Sequence, residues 1–231
     1  MSFSEKVLQL KQDFDDVYEA GKRDGGGSGI EWDMLTDYGR KTSYQYGFYY
    51  CRLADANGNS LFNPKYDIKP ATANSMFERS TGNIDLQAQF EKAGKTLDFS
   101  NCTNVSRCFY YSDVTRIGVV DVTKSQNLTG IFGYCSSLRK IDGIVFSKGV
   151  SYTLSNAFLS CGALSDVTAS GELATSGLDL SACPLTRASK LSFLKVLVST
   201  SDAKTIKFGA GEALTNEDVA IGTQKGWSVI V

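Results

Sequence analysis

IFGYCSSLRKI (131–141) and AFLSCGALSDV (157–167) say the same phrase twice. In each, an apolar residue precedes a phenylalanine and a cysteine follows three positions later. A leucine comes three after that, and a β-branched residue three further on. Phe132, Cys135, Leu138 and Ile141 thus match Phe158, Cys161, Leu164 and Val167, with Leu128 and Leu154 each four residues upstream of their phenylalanine. The two phenylalanines stand 26 residues apart, a period at which supersecondary units stack on one another. A unit this short buries its phenylalanine and leucine only against a neighbour, so the spacing predicts a continuous ladder of core residues.

Looser copies precede these two. Ala73, Met76, Phe77 and Ser80 take the offsets of Leu154, Ala157, Phe158 and Cys161. Val105, Cys108, Phe109 and Ser112 do the same, followed by Val114 and Ile117 after one residue fewer. One small residue therefore recurs three positions after each phenylalanine: Ser80, Ser112, Cys135, Cys161. The spacings of 32, 23 and 26 residues predict irregular loops on one side of the stack. A second phrase, LDFSNC (97–102) and LDLSAC (178–183), places Cys102 and Cys183 in equivalent positions. Its Asp98 and Asp179 are expected to bond backbone on successive turns rather than to form a catalytic carboxylate pair. The cysteines read as small core spacers, since free cysteine is among the most buried residue types. No CxxC pair is present, which argues against zinc.

Charge and composition exclude several function classes. The 231 residues carry 24 basic and 25 acidic side chains without long runs of one sign, so no nucleic-acid footprint is expected. No window approaches the roughly 18 to 20 apolar residues that cross a bilayer, and no membrane insertion is expected. MSFSEKVLQLKQDFDD (1–16) lacks the apolar core of a secretory signal. Histidine is absent, which removes the commonest general base and metal ligand. DGGGSG (24–29) is followed by no Lys-Ser/Thr and is no phosphate loop. No catalytic residue, cofactor or metal is expected.

Along the chain, residues 4–20 predict a helix capped by Ser4 and stopped at Gly21. Val7, Leu10, Phe14 and Val17 lie on one face of it, too short a stripe for an isolated coiled coil. It must dock on its own domain, on symmetry mates or on another protein, and an assembly contact is as well supported as docking on the body. The glycine linker leads to an aromatic-rich segment (30–53), read as a small capping core or a contact surface. ADANGNS (54–60) predicts a hairpin tip. Residues 84–94 predict a short helix ending at glycine, 185–199 a partly helical apolar run, and 204–208 a strand. Thr215 with Asp218 resembles a capping box, and 226–231 a closing strand. The organisation that follows is an attachment helix at 1–23, a linker and capping segment at 24–72, repeats at 73–208, and a C-terminal cap at 209–231.

The pattern AF-x-x-C-x-x-L-x-x-[IV] resembles the signature of BspA-type leucine-rich repeats, found in bacterial surface proteins and some phage proteins. The match is tight at 131–141 and 157–167 and loose at 105–117 and 73–84. The copies are few, and the Ile-Pro step usual between repeats is missing. The resemblance implies an α/β fold: a short, irregular leucine-rich-repeat solenoid with an N-terminal helix and a C-terminal cap. EKVLQLKQDFDDVYEAGK (5–22), together with PKYDIKP (64–70), is similar to the start of repeat proteins among tail and other structural genes of phages and prophages of gut bacteria. That implies a non-enzymatic virion protein whose N-terminal helix joins other virion proteins or symmetry mates. The repeats would then face outward toward a host-cell surface protein or glycan. The alternatives are a bacterial cell-surface or secreted adhesion protein of the same fold and, less favoured, a cytoplasmic scaffold. On either of the first two readings Tyr110, Tyr111 and Tyr134 are candidate contact residues, because they follow a buried phenylalanine by one or two positions.

Overall fold

A row of five phenylalanines runs through the core of the protein: Phe48, Phe77, Phe109, Phe132 and Phe158, each at most 5% exposed. The structure is a computed structural model and describes residues 47–64 and 66–231. The expected stripe of Val7, Leu10, Phe14 and Val17 and the glycine linker lie outside the described residues. Successive rings stand 4.7, 5.3, 5.8 and 5.2 Å apart, the first three pairs stacked and the last tilted by 37°. Phe62 and Phe99 pack edge-on against this row, and Phe90 edge-on against Phe62. Among the described residues the first rung is Phe48, one earlier than the spacing from Ala73 predicts.

Each phenylalanine sits in a short run of overlapping turns. In the Phe77 rung the amides of Met76, Glu78 and Ser80 bond back three residues to Ala73, Ser75 and Phe77. The alternate amides, of Ser75, Phe77 and Arg79, bond forward to the carbonyls of Ser106, Cys108 and Tyr110 in the next rung. The same three-bond junction joins Arg107, Phe109 and Tyr111 to Thr129, Ile131 and Gly133, and joins Gly130, Phe132 and Tyr134 to Ser155, Ala157 and Leu159. A helix would satisfy all its amides internally. Here left-handed residues two before and two after the phenylalanine redirect every second one. Ser75 and Arg79, Arg107 and Tyr111, Gly130 and Tyr134, and Asn156 and Ser160 all have φ between 53 and 61°. Most are not glycine, and each such residue costs roughly 1 kcal/mol or more, offset by the bonds between rungs.

The small-residue column is buried where expected. Ser80 and Ser112 share a hydrogen bond of 2.7 Å. The thiols of Cys135 and Cys161 donate to the carbonyls of Phe109 and Phe132, one rung back, at 2.7 and 2.9 Å. All six cysteines are unpaired thiols, and five are buried. Asp98 and Asp179 each accept the amide two residues on, from Ser100 and Ser181.

From each of the later rungs the chain runs out into a strand. β1 (Arg116–Asp121), β2 (Lys140–Phe146) and β3 (Asp166–Gly171) form a parallel sheet in that order. Ile117, Ile141 and Val167 lie level across it, so the last residue of the repeated phrase is a rung of the sheet. α1 (Leu86–Ala93) is capped by Asp85 and closed by Gly94 in the left-handed conformation, and buries Leu86 and Phe90. A second parallel sheet has the order β4 (Leu178–Leu180), β5 (Lys204–Phe208), β6 (Trp227–Ile230). α2 (Arg187–Val196) and α3 (Asn216–Thr223) lie in its connections. The Lys225 ammonium donates to the Leu194 and Lys195 carbonyls at the end of α2, where cations are favoured. Among the described residues the fold is thus mixed α/β, with two three-stranded parallel sheets.

Candidate functional site

The side chains beside the phenylalanine row form two columns on the surface. Two positions after each phenylalanine stand Tyr50, Arg79, Tyr111, Tyr134 and Ser160; one position after stand Tyr49, Glu78, Tyr110, Gly133 and Leu159. The left-handed backbone at the first of these positions turns its side chain away from the core. Because rungs are one hydrogen bond apart, side chains of neighbouring rungs in a column come close enough to meet.

Tyr111 and Tyr134 stack face to face, with ring centres 4.4 Å apart and planes 1° from parallel. The Arg79 guanidinium lies 4.9 Å from the Tyr111 ring and 5.4 Å from the Tyr50 ring, between the two. The column therefore reads aromatic, cation, aromatic, aromatic over four rungs. Tyr110 meets Tyr111 and Tyr134 edge-on at 4.9 and 5.5 Å. Arg107 covers the Tyr110 ring at 4.2 Å. Under that ring lie Gly130 and Gly133, where an added Cβ would come within 3.0 Å of Tyr110. Gly130 and Gly133 thus make the floor on which Tyr110 lies.

One buried carboxylate organises the cations. Glu78 is 3% exposed and accepts both Nε and an Nη of Arg107, the former at 3.1 Å. That fork holds the Arg107 pKa above its ordinary value and fixes the guanidinium over Tyr110. Burial, with Tyr134 and Tyr111 adding to it, raises the Tyr110 hydroxyl as well. Arg79 approaches Glu78 only to 3.9 Å, so among the described residues its guanidinium edge keeps donors for an outside partner. The surface is open: Tyr50 is 50%, Tyr111 41% and the Arg79 side chain 40% exposed.

Of the residues expected from sequence, Tyr110, Tyr111 and Tyr134 come together in one cluster. Tyr111 is exposed and the other two are half-buried. Sequence reasoning missed Arg79, Arg107, Glu78 and Tyr50. The signal was there, since Tyr50 and Arg79 have the same offset from Phe48 and Phe77 as Tyr111 has from Phe109, but it needed Phe48 to be read as a rung. The arrangement presents flat π-faces with a guanidinium set among them, which suits stacking against sugar rings or aromatic and acidic side chains. Among the described residues no three His, Cys, Asp or Glu side chains converge as a metal site, and no helix is long and apolar enough to cross a membrane. No family model, curated protein or solved structure matches the chain.

Proposed function

We propose that this chain is a non-enzymatic structural component of a phage or prophage virion. On this reading it is a short leucine-rich-repeat solenoid of the BspA type, attached to other virion proteins or to symmetry mates through its N-terminal helix. The repeat domain binds a protein or glycan on the host-cell surface, and the Tyr50–Arg79–Tyr111–Tyr134 column is its contact face. The observation that supports binding is the preorganisation of that column. Its rings and guanidinium are stacked and backed by the Arg107–Glu78 fork before any partner arrives. Rigid aromatic and arginine side chains lose little entropy on docking and are the residue types enriched at binding hot spots.

The test is retention of the full chain on envelope fractions of gut bacteria, compared with Tyr111→Ala and Arg79→Ala. Binding should fall by about tenfold or more in each variant, the scale of a hot-spot truncation, with an unchanged circular dichroism spectrum. Equal retention of the variants would exclude this face, and no retention of the parent would exclude adhesion. Attachment is tested separately by light scattering with and without residues 1–23, where loss of self-association on truncation supports the helix as the joint.

A further inference from the structure

The forward-pointing amides that join one rung to the next find no acceptor at the fifth rung. In the Phe77, Phe109 and Phe132 rungs, all three take carbonyls of the following rung. At Phe158 the equivalent donors are the amides of Asn156, Phe158 and Ser160, and none has a partner among the described residues. The chain does supply a sixth position. Leu180 is fully buried where a phenylalanine would stand, and Cys183 continues the small-residue column. The Cys183 amide bonds back to Leu180 as that of Ser80 bonds to Phe77. Here, however, the backbone is extended as β4 and pairs with β5, Leu178 to Ile206 and Leu180 to Phe208. β4 bonds sideways to β5, and none of its carbonyls takes an amide of the Phe158 rung. Fifth rung and sixth position therefore stand apart, and a cavity of about 350 Å³ opens between residues 154–159 and 176–182.

We propose that this cavity is a binding site for a short segment of polypeptide backbone, which supplies the missing rung in trans. The three preceding junctions show what satisfies this edge: carbonyl oxygens two residues apart, one for each amide. The opposite wall is of the other polarity. It carries the Asp179 carboxylate and the hydroxyls of Ser176 and Ser181. Asp179 accepts the Ser181 amide and hydroxyl and lies 3.5 Å from the Lys207 ammonium. An occupant must accept along one edge and donate along the other, as a peptide main chain does. A simple anion meets the amides but is repelled by Asp179. Leu154, Ala157, Phe158 and Ala182 supply the apolar part of the lining, as is usual for cavities of this size.

The experiment follows amide hydrogen exchange in the full chain with a synthetic peptide of residues 128–138, serine replacing its cysteine. In the fold this segment already offers Thr129, Ile131 and Gly133 carbonyls to such an edge. Exchange at Asn156, Phe158 and Ser160 should slow about tenfold when free peptide stands about ten times above its Kd. Inorganic phosphate should leave it unchanged. Ala182→Trp, which fills the cavity from an exposed position, should abolish the protection. Absence of protection in the unmodified chain, equal protection by phosphate, or protection that survives Ala182→Trp would each overturn the proposal. The first two readouts use the parent protein, so they stand even if the variant folds poorly.

Discussion

Phe109 is the residue on which most of the ladder converges, since it touches Phe77 and Phe132 face to face and Phe99 edge-on. Phe109→Ala should cost about 3 to 5 kcal/mol by chemical denaturation, a large part of an ordinary domain's 5 to 15 kcal/mol. Phe158→Ala falls in the same range but toward its low end, because Phe158 stacks on one side only. Tyr111→Ala should cost no more than about 1 to 2 kcal/mol, the scale of one stacked pair and one cation–π contact at a partly exposed site. A melt of Phe109→Ala that overlays the parent would contradict the stacked core. The thiols provide a second check at this scale. Burial raises Cys102 to about 11, and Cys108 and Cys135 well above their ordinary value. At mildly alkaline pH a thiol-specific disulfide reagent should leave the five buried cysteines untouched in the folded chain and label all six in denaturant. The phenylalanines and small residues were legible in the sequence as a column, because burial in a stack forces residue type at fixed offsets. The place of Arg107 over Tyr110 was not, since a surface column tolerates many residue types.

The elements at the C-terminal end were legible from their caps. Thr215 and Asp218 form the reciprocal capping box that the sequence suggests at the start of α3, and Gly94 closes α1 as expected. What sequence did not indicate is that Asp218 does two things. Arg187, on α2, donates to both of its carboxylate oxygens, at 2.6 and 2.7 Å, and so ties α2 to α3. Arg187 and the Thr215 amide hold the Asp218 pKa down at about 2, against an ordinary 3.8. A depressed folded-state pKa contributes stability that is complete above the ordinary value and is lost as pH falls from 3.8 to about 2. Asp218→Asn should therefore be less stable than the parent near neutrality. The two stabilities should converge in acid across that window, measured by denaturant midpoint against pH. A constant difference down to pH 2 would assign the tie to neutral hydrogen bonding instead. The pairing of Arg187 with Asp218 spans 31 residues, and no local pattern announces a contact of that separation.

Across the whole molecule, one continuous set of buried residues runs from Phe48 to Trp227, with no break between the turn rungs and the second sheet. Thermal unfolding of the described region should therefore be a single transition, and Phe109→Ala should shift it as a unit. Two resolved transitions, of which the substitution moves only one, would show that the two sheets melt independently. The sequence by itself determined that short units stack, that Phe, Leu and Cys columns point inward, and where the last helix begins. These follow from burial periodicity and from caps, both of which act over a few residues. Only the tertiary structure decided that Phe48 is a rung, that alternate amides bond forward, and that the arginines thread between the tyrosines. It also decided where the ladder stops. LDLSAC (178–183) carries the leucine and cysteine of a rung, yet its backbone is drawn into a strand by β5, more than 20 residues further on. Which partner a backbone carbonyl takes depends on what lies beside it in space, and that is how Asn156 and Phe158, with no acceptor from a next rung among the described residues, come to line a cavity.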